Sequence, residues 1–335
     1  MHFGEINAYI LMGGGRLLAE CALGLKKTGC RVFVVSSPRQ ISEDLHVPRC
    51  TLEEYLSRNG LEHHVSENIN TDSQVIKGIT PQTLGMSIAA AWLFRKPFID
   101  LFEGRLLNAH GTRLPQDRGS GGFSWQILRD NHLGCCLVHQ VDEGLDTGPI
   151  VKYKEFAYPS ACRIPNDYRE VYVRENQAFL LELFEEIKRG VEFELIGQAE
   201  YLSSYWPRLS TEHHGYIDWS WSMRQIERFI CAFDEPYKGA STFVRGKKVH
   251  LKSCFVDVSD GGFHPFQKGL VYRQRAGAQF VATEDGTLVI KQVRDDNGNN
   301  VAREIQVGDR FYTPIDLLEK AKQYRAIYTP QGLKS

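Results

Sequence analysis

No stretch of this chain is apolar for long enough to cross a bilayer, which takes roughly 18 or more consecutive apolar residues. The amino terminus also lacks the basic, apolar, small-residue order of a secretory signal, so the expected location is the cytoplasm, with no membrane partner. Charge of one sign is missing too. There are 40 Lys+Arg against 41 Asp+Glu, a net of −1, and 42% of the residues are hydrophobic. That is the composition of an ordinary globular protein, and 335 residues leave room for a large core and about two domains. The eight cysteines (Cys21, Cys30, Cys50, Cys135, Cys136, Cys162, Cys231 and Cys254) form no CxxC pair and have no metal-like spacing with histidine. They read as reduced core residues, and no metal is implied. No internal repeat or low-complexity tract is found.

The first half alternates in the α/β manner. Ile6–Met12 is a short apolar strand, Gly13-Gly14-Gly15 turns it into a helix with Leu17, Leu18, Cys21, Leu23 and Leu25 in one stripe, and Val32–Val35 is a second strand. Strand, glycine turn, helix, strand is the right-handed crossover unit of a parallel sheet. The glycines invite a dinucleotide reading, but the third glycine of G-x-G-x-x-G is missing. Ser36-Ser37-Pro38 stands where an acid would hold a ribose. A tight turn beside a substrate cleft is the better reading. Met86–Ala91 is expected as a strand, Trp92–Lys96 as a loop and Pro97–Phe102 as a helix.

Residues 105–150 carry the chemistry. Asn108 and His110 follow an apolar run two positions apart, so in a strand both side chains point to one face. Asp146, in Leu-Asp-Thr-Gly, comes from a later loop. An amide, an imidazole and a carboxylate at one point can handle an acyl group: one holds its oxygen, one moves a proton, one orients the mover. Singly, each has a bland reading as a polar strand-end residue or a turn residue.

Asn108-Ala109-His110, Leu114-Pro115, Arg118-Gly119, Trp125 and Asp146-Thr147-Gly148 together resemble the 10-formyltetrahydrofolate-dependent formyltransferase family. That family includes glycinamide ribonucleotide, methionyl-tRNA and nucleotide-sugar formyltransferases. The resemblance implies direct formyl transfer with no covalent enzyme intermediate. Asn108 would hold the formyl oxygen, His110 would donate to the oxyanion or take the amine proton, and Asp146 would orient His110. It also implies that Trp92-Leu93-Phe94 and Gln140-Val141-Asp142-Glu143 close on the pterin of the folate co-substrate. From spacing alone Trp92 and Phe94 are plain core residues. Arg16, Arg113, Arg118 and Trp125 are candidate neighbours of the second substrate, with surface charge or helix packing as the alternative. Gly111-Thr112-Arg113-Leu114-Pro115 departs from the Ser-Leu-Leu-Pro of many relatives, in the loop that faces that substrate.

Beyond Phe156 the alternation weakens. Glu170–Arg189 reads as a helix and 196–215 as a linker. Ser160–Asp167 is either a substrate-side loop or a surface excursion. Gly215–Leu251 contains Ile-Asp-Trp, an amphipathic helix through Ile226, Phe229 and Ile230, Pro-Tyr-x-Gly-Ala and a Gly-Lys-Lys hairpin. This block resembles the junction to the small β-barrel of methionyl-tRNA and sugar formyltransferases. Short strands are expected at Leu270–Tyr272, Phe280–Ala282 and Thr287–Val293. The expected architecture is α/β: a Rossmann-like, mostly parallel catalytic domain (1–195), the linker, and a helix with an OB-like β domain (216–335).

Residues 1–212 carry a net charge of −5 and residues 213–335 a net of +4, with Lys247-Lys248 the one tight basic pair. A tRNA-binding enzyme needs a broad basic surface. Methionyl-tRNA formyltransferases typically carry a glycine-rich basic loop after the second strand, where this chain has Glu43, Asp44, Glu53 and Glu54. The expected acceptor is therefore a nucleotide-linked amino sugar, a precursor of cell-surface glycans such as lipopolysaccharide, with no nucleic-acid partner. The alternative is initiator methionyl-tRNA. A homodimer is common among the sugar enzymes, but no interface is legible. Two other classes compete, a hydrolase releasing formate and a non-catalytic folate-binding protein. Formate release without an amine would mark the first, and tight folate binding without turnover the second.

Overall fold

The computed structural model describes residues 1–119 and 122–330, with the backbone of 332 and 333. The first 160 residues supply β1 (Ala8–Gly13), β2 (Arg31–Ser36), β3 (Glu62–Val65), β4 (Thr83–Ile88), β5 (Leu106–His110), the two-residue β6 (Arg118–Gly119), β7 (Leu133–Gln140) and β8 (Ile150–Ala157). Seven of these form one sheet in the order β3-β2-β1-β4-β5-β7-β8. The first five pair in parallel, and β7 and β8 join antiparallel. Strands covered on both faces read as continuous apolar runs, which is why Ala8–Gly13 and Thr83–Ile88 carry no alternating pattern. Strand β4 begins and ends about three residues earlier than Met86–Ala91. Its buried residues include the small polar Thr83 and Ser87, which weaken the apolar signal at either end.

Gly13 has a structural reason. It sits at φ 136°, and a Cβ there would lie 2.0 Å from the Ile88 carbonyl oxygen, so β1 can abut the end of β4 only with glycine. The helix Gly15–Lys27 buries Leu17, Leu18, Cys21 and Leu25. With the helix Pro165–Lys188 it covers one sheet face, where Leu107, Ala109, Cys136 and Val138 share a core with Phe179, Leu180, Leu183 and Phe184. That second helix starts five residues before Glu170. Pro165 occupies its first turn, and the Asp167 carboxylate accepts the Ile164 N–H, so the end of Ser160–Asp167 is the helix start. Asn108, His110, Leu137 and His139 alternate with the covered residues and therefore face the other side, where the sheet opens to a cleft.

Residues 196–215 do not hang free. Ile196 bridges to Ile150, and β9 (Tyr205–Trp206) pairs in parallel with β6. Beyond them lie the helix Met223–Ala232, capped by Ser222 and Gln225, and a five-stranded antiparallel sheet. Its strands are β10 (Ala240–Val244), β11 (Lys247–Asp257), β12 (Val271–Arg275), β13 (Ala278–Ala282) and β14 (Thr287–Arg294). Tyr312 pairs with Phe243 on β10, and Arg310 with Leu270 beside β12, so residues 310–312 link the two edges of that sheet. Ile226, Phe229 and Ile230 join Val249, Leu251, Ile290 and Val293 in a core that reaches Ile127, Tyr158 and Tyr168 of the first domain.

Candidate active site

Asn108 and His110 lie at the end of β5 and line one cleft with Asp146. His110 Nδ1 lies 3.7 Å from Asp146 Oδ1, and the imidazole and carboxylate side chains are only 10% and 14% exposed. The other ring nitrogen settles the tautomer. His110 Nε2 is 2.9 Å from the Asp117 carbonyl oxygen, which can only accept, so Nε2 carries the hydrogen. In the neutral ring Nδ1 is then a lone pair beside the carboxylate. Thr112 donates to the same carbonyl, and Arg129 holds the Asp117 side chain at 2.8 Å. Burial lowers the His110 pKa, opposed mainly by the Asp146 charge, so the ring is neutral near pH 7.

Asp146 is held from several sides. Its Oδ2 accepts the Gly119 N–H at 2.9 Å, and Gln198 Nε2 donates to the Asp146 and Gly148 carbonyls at 2.9 and 2.7 Å. Burial works against the charge. The neighbouring polar groups, the Gly119 amide among them, outweigh it and hold the Asp146 pKa down at about 2. The carboxylate is therefore ionised near pH 7. Gly148 makes the turn possible, since a Cβ there would lie 2.0 Å from the Gln140 carbonyl oxygen.

These groups line a cleft of about 650 Å³ at the carboxyl ends of β4 and β5, where open α/β sheets bind ligands. One wall is the segment 89–94 with Val141–Leu145. The other is Phe123–Gln126 with Tyr172, Arg208 and Tyr237. On the first wall Trp92 is buried, with Nε1 donating to the Glu67 carbonyl, and Phe94 stacks on Phe98. Leu93 between them is 77% exposed. Asp142 turns back on its own loop, accepting from Gly144 and Thr147, while Glu143 is exposed at the rim. Gln140 points away, its amide on the Gly104 carbonyl. An apolar slot edged by backbone and a few carboxylates suits a flat heteroaromatic ring.

Of the four candidate neighbours of a second substrate, Trp125 alone lines the cleft, with its indole N–H on the Pro207 carbonyl. Arg118 is buried and held by Glu200 at 2.8 Å and Gln198 at 3.0 Å. Arg16 is clamped between Glu20 and Glu170, and Arg113 is absent from the lining. Sequence reasoning missed His139, whose Nε2 lies 3.0 Å from Asn108 Nδ2 and 3.6 Å from Asp146 Oδ1. A polar residue closing the apolar run Cys135–Val138, in phase with Cys135 and Leu137, was the available signal. Arg208 and Tyr237 were also missed. They reach the cleft from the stretch read as a linker and from the Pro-Tyr-x-Gly-Ala segment.

Among the described residues no helix is long and apolar enough to cross a membrane. Residues 8–160 match the formyl transferase family and residues 210–305 match the formyl transferase C-terminal domain. The chain is 28% identical over 211 residues to the methionyl-tRNA formyltransferase of Desulfotalea psychrophila, spanning 62% of each chain. It is 24% identical over 253 residues to that of Ruminiclostridium cellulolyticum, spanning 75% of this chain and 79% of that one. Among solved structures it is similar to WlaRD, a sugar 3N-formyl transferase crystallised with dTDP and 5-N-formyl-THF, at TM-score 0.62 and 17% identity over 86% of this chain and 97% of that one. The N-formyltransferase of Helicobacter canadensis, in complex with folinic acid and dTDP-3-aminofucose, gives TM-score 0.62 and 16% identity over 86% and 99%. At those identities the likeness is one of fold. With both domains matched in order, the chain belongs to the formyl transferase family, whose activity is folate-dependent formyl transfer.

Proposed function

We propose that this protein moves the formyl group of 10-formyltetrahydrofolate to the amine of a nucleotide-linked amino sugar. The observation that carries the chemistry is the junction of Asn108, a neutral His110 and an ionised Asp146 on the floor of the cleft. A neutral amine attacks the formyl carbon, and negative charge develops on the formyl oxygen. Asn108 donates to that oxygen. His110 Nδ1 takes the amine proton as the new C–N bond forms, and Asp146 stabilises the resulting imidazolium. The proton then passes through water to the departing N10 as its bond to the formyl carbon breaks. Removing one donor to an oxyanion costs on the order of 100- to 1000-fold in other enzymes. The folate fits the wall with Leu93, Val141 and Glu143, and the second substrate the wall with Trp125, Arg208 and Tyr237.

The choice of acceptor rests on charge. After β2 the chain folds into two short helices, Pro38–Ile41 and Leu52–Arg58, in place of a basic arm. Glu43 pairs with Arg39, and Glu54 closes a capping box with Thr51. Such a surface supports a small anionic sugar nucleotide over tRNA. The methionyl-tRNA formyltransferases among the relatives favour the second reading. A panel of dTDP-, UDP- and GDP-linked amino sugars and initiator methionyl-tRNA, each offered with 10-formyltetrahydrofolate, separates the two. A formylated nucleotide sugar is the expected product, and formylation of the tRNA alone would replace this reading.

A further inference from the structure

His139 is 3% exposed and sits directly across from Asn108, its partner in the antiparallel pairing of β7 with β5. Its Nδ1 lies 2.7 Å from the Gln140 carbonyl oxygen, and its Nε2 lies 3.0 Å from Asn108 Nδ2. A carbonyl only accepts, so Nδ1 must carry a hydrogen. In the neutral ring Nε2 is then a bare lone pair, which can face the Asn108 amide only through its NH₂ end. The opposite tautomer would set the Nδ1 lone pair against the carbonyl lone pairs at 2.7 Å. It would gain a contact with Asp146 at 3.6 Å, too long for a hydrogen bond, and a bond to a flipped Asn108 oxygen, which the Nδ1–H form already matches from the nitrogen end without losing the 2.7 Å bond.

We propose that His139 is a positioning residue: as the neutral Nδ1–H tautomer it fixes the Asn108 side-chain amide with nitrogen inward, leaving the second Nδ2 hydrogen for the formyl oxygen. The catalytic meaning of this contact rests on the formyl-transfer reading above. The contact itself does not. A free asparagine amide exchanges its two ends at little cost, and the wrong end would present lone pairs to a developing oxyanion. His139 removes that ambiguity before substrate binds, which is the use of a supporting hydrogen bond behind a catalytic group.

Two measurements test it. Long-range ¹H–¹⁵N correlation spectra of the full-length protein labelled at histidine, with His139 assigned by its loss in His139→Gln, report the tautomer without any turnover. The Nδ1–H pattern is expected, with the Nε2 resonance shifting in Asn108→Ala. An Nε2–H pattern, or an imidazolium at neutral pH, overturns the proposal even if the enzyme is active. If no amine is formylated, the formyl-transfer reading fails while the tautomer still decides the contact. In turnover, His139→Leu, which cannot accept, should lose roughly 10- to 100-fold in kcat with KM for either substrate little changed. His139→Gln, whose Oε1 can accept from Asn108, should recover most of it. Equal losses in the two variants also overturn the proposal.

Discussion

Asp146 accepts the Gly119 amide with one carboxylate oxygen at 2.9 Å and places the other 3.7 Å from His110 Nδ1. In the proposed mechanism Nδ1 takes a proton and the carboxylate then stabilises the imidazolium. Asp146→Asn keeps the shape and removes the charge. It should fold, lose on the order of 100-fold or more in turnover, and move the acid limb of the residual rate profile to lower pH. The shift has that sign because the Asp146 charge raises the His110 pKa against burial, and its loss lets burial act alone. An acid limb that stays in place or rises would show that Asp146 does not bear on the titrating group.

The same carboxylate links pH to stability. Its pKa is held at about 2, below the ordinary 3.8. A depressed carboxylate pKa stabilises the fold above the unfolded-state value, and that contribution fades as pH falls through the folded-state value. The difference corresponds to about 2 kcal/mol. Denaturant unfolding of wild type and Asp146→Asn should therefore differ by up to roughly that much near pH 7, and the gap should close between pH 4 and 2. A gap independent of pH would mean that the loss is one of shape.

Arg118 is expected to act on structure. Its guanidinium ties Glu200 and Gln198, and Gln198 in turn holds the Asp146 and Gly148 carbonyls. Arg118→Ala should cost about 1–3 kcal/mol and make residues 198–206 more open to proteolysis. Since Glu200 is exposed, Glu200→Gln should cost much less. Unchanged stability in Arg118→Ala, together with a raised KM for the acceptor alone, would return Arg118 to the substrate.

Leu93 and Trp92 should separate binding from packing. Leu93 is 77% exposed at the cleft and Trp92 is buried, so Leu93→Ala should leave the Tm unchanged and weaken folate binding several-fold. Trp92→Ala should destabilise by about 3–5 kcal/mol. Calorimetry with tetrahydrofolate and a thermal melt on each variant distinguish the two effects.

The pairing of Asn108 with His110 was legible because the strand period is short and local. Asp146 was legible from the Asp-Thr-Gly motif that carries the family resemblance, and the structure adds that Gly148 there lies against the Gln140 carbonyl. His139 was not, because its role depends on β7 pairing with β5 in one register, a contact made across 31 residues. The tethers of Arg16 and Arg118 were only partly legible: Glu20 lies one turn from Arg16 on the same helix, but Glu170 is distant in the chain and Glu200 lies in a segment without periodicity. The same lack of periodicity made 196–215 read as a linker, although its polar side chains fasten it to the catalytic loop.

Formyl transfer through His110 is tested by a single-turnover experiment with 10-formyltetrahydrofolate and the amino sugar that gives a product in the panel, comparing wild type with His110→Ala. Wild type should release one tetrahydrofolate per formylated amine, and His110→Ala should bind both substrates yet be slower by on the order of 100-fold or more. Near-normal transfer by His110→Ala, or tetrahydrofolate release by wild type without a formylated amine, would contradict it.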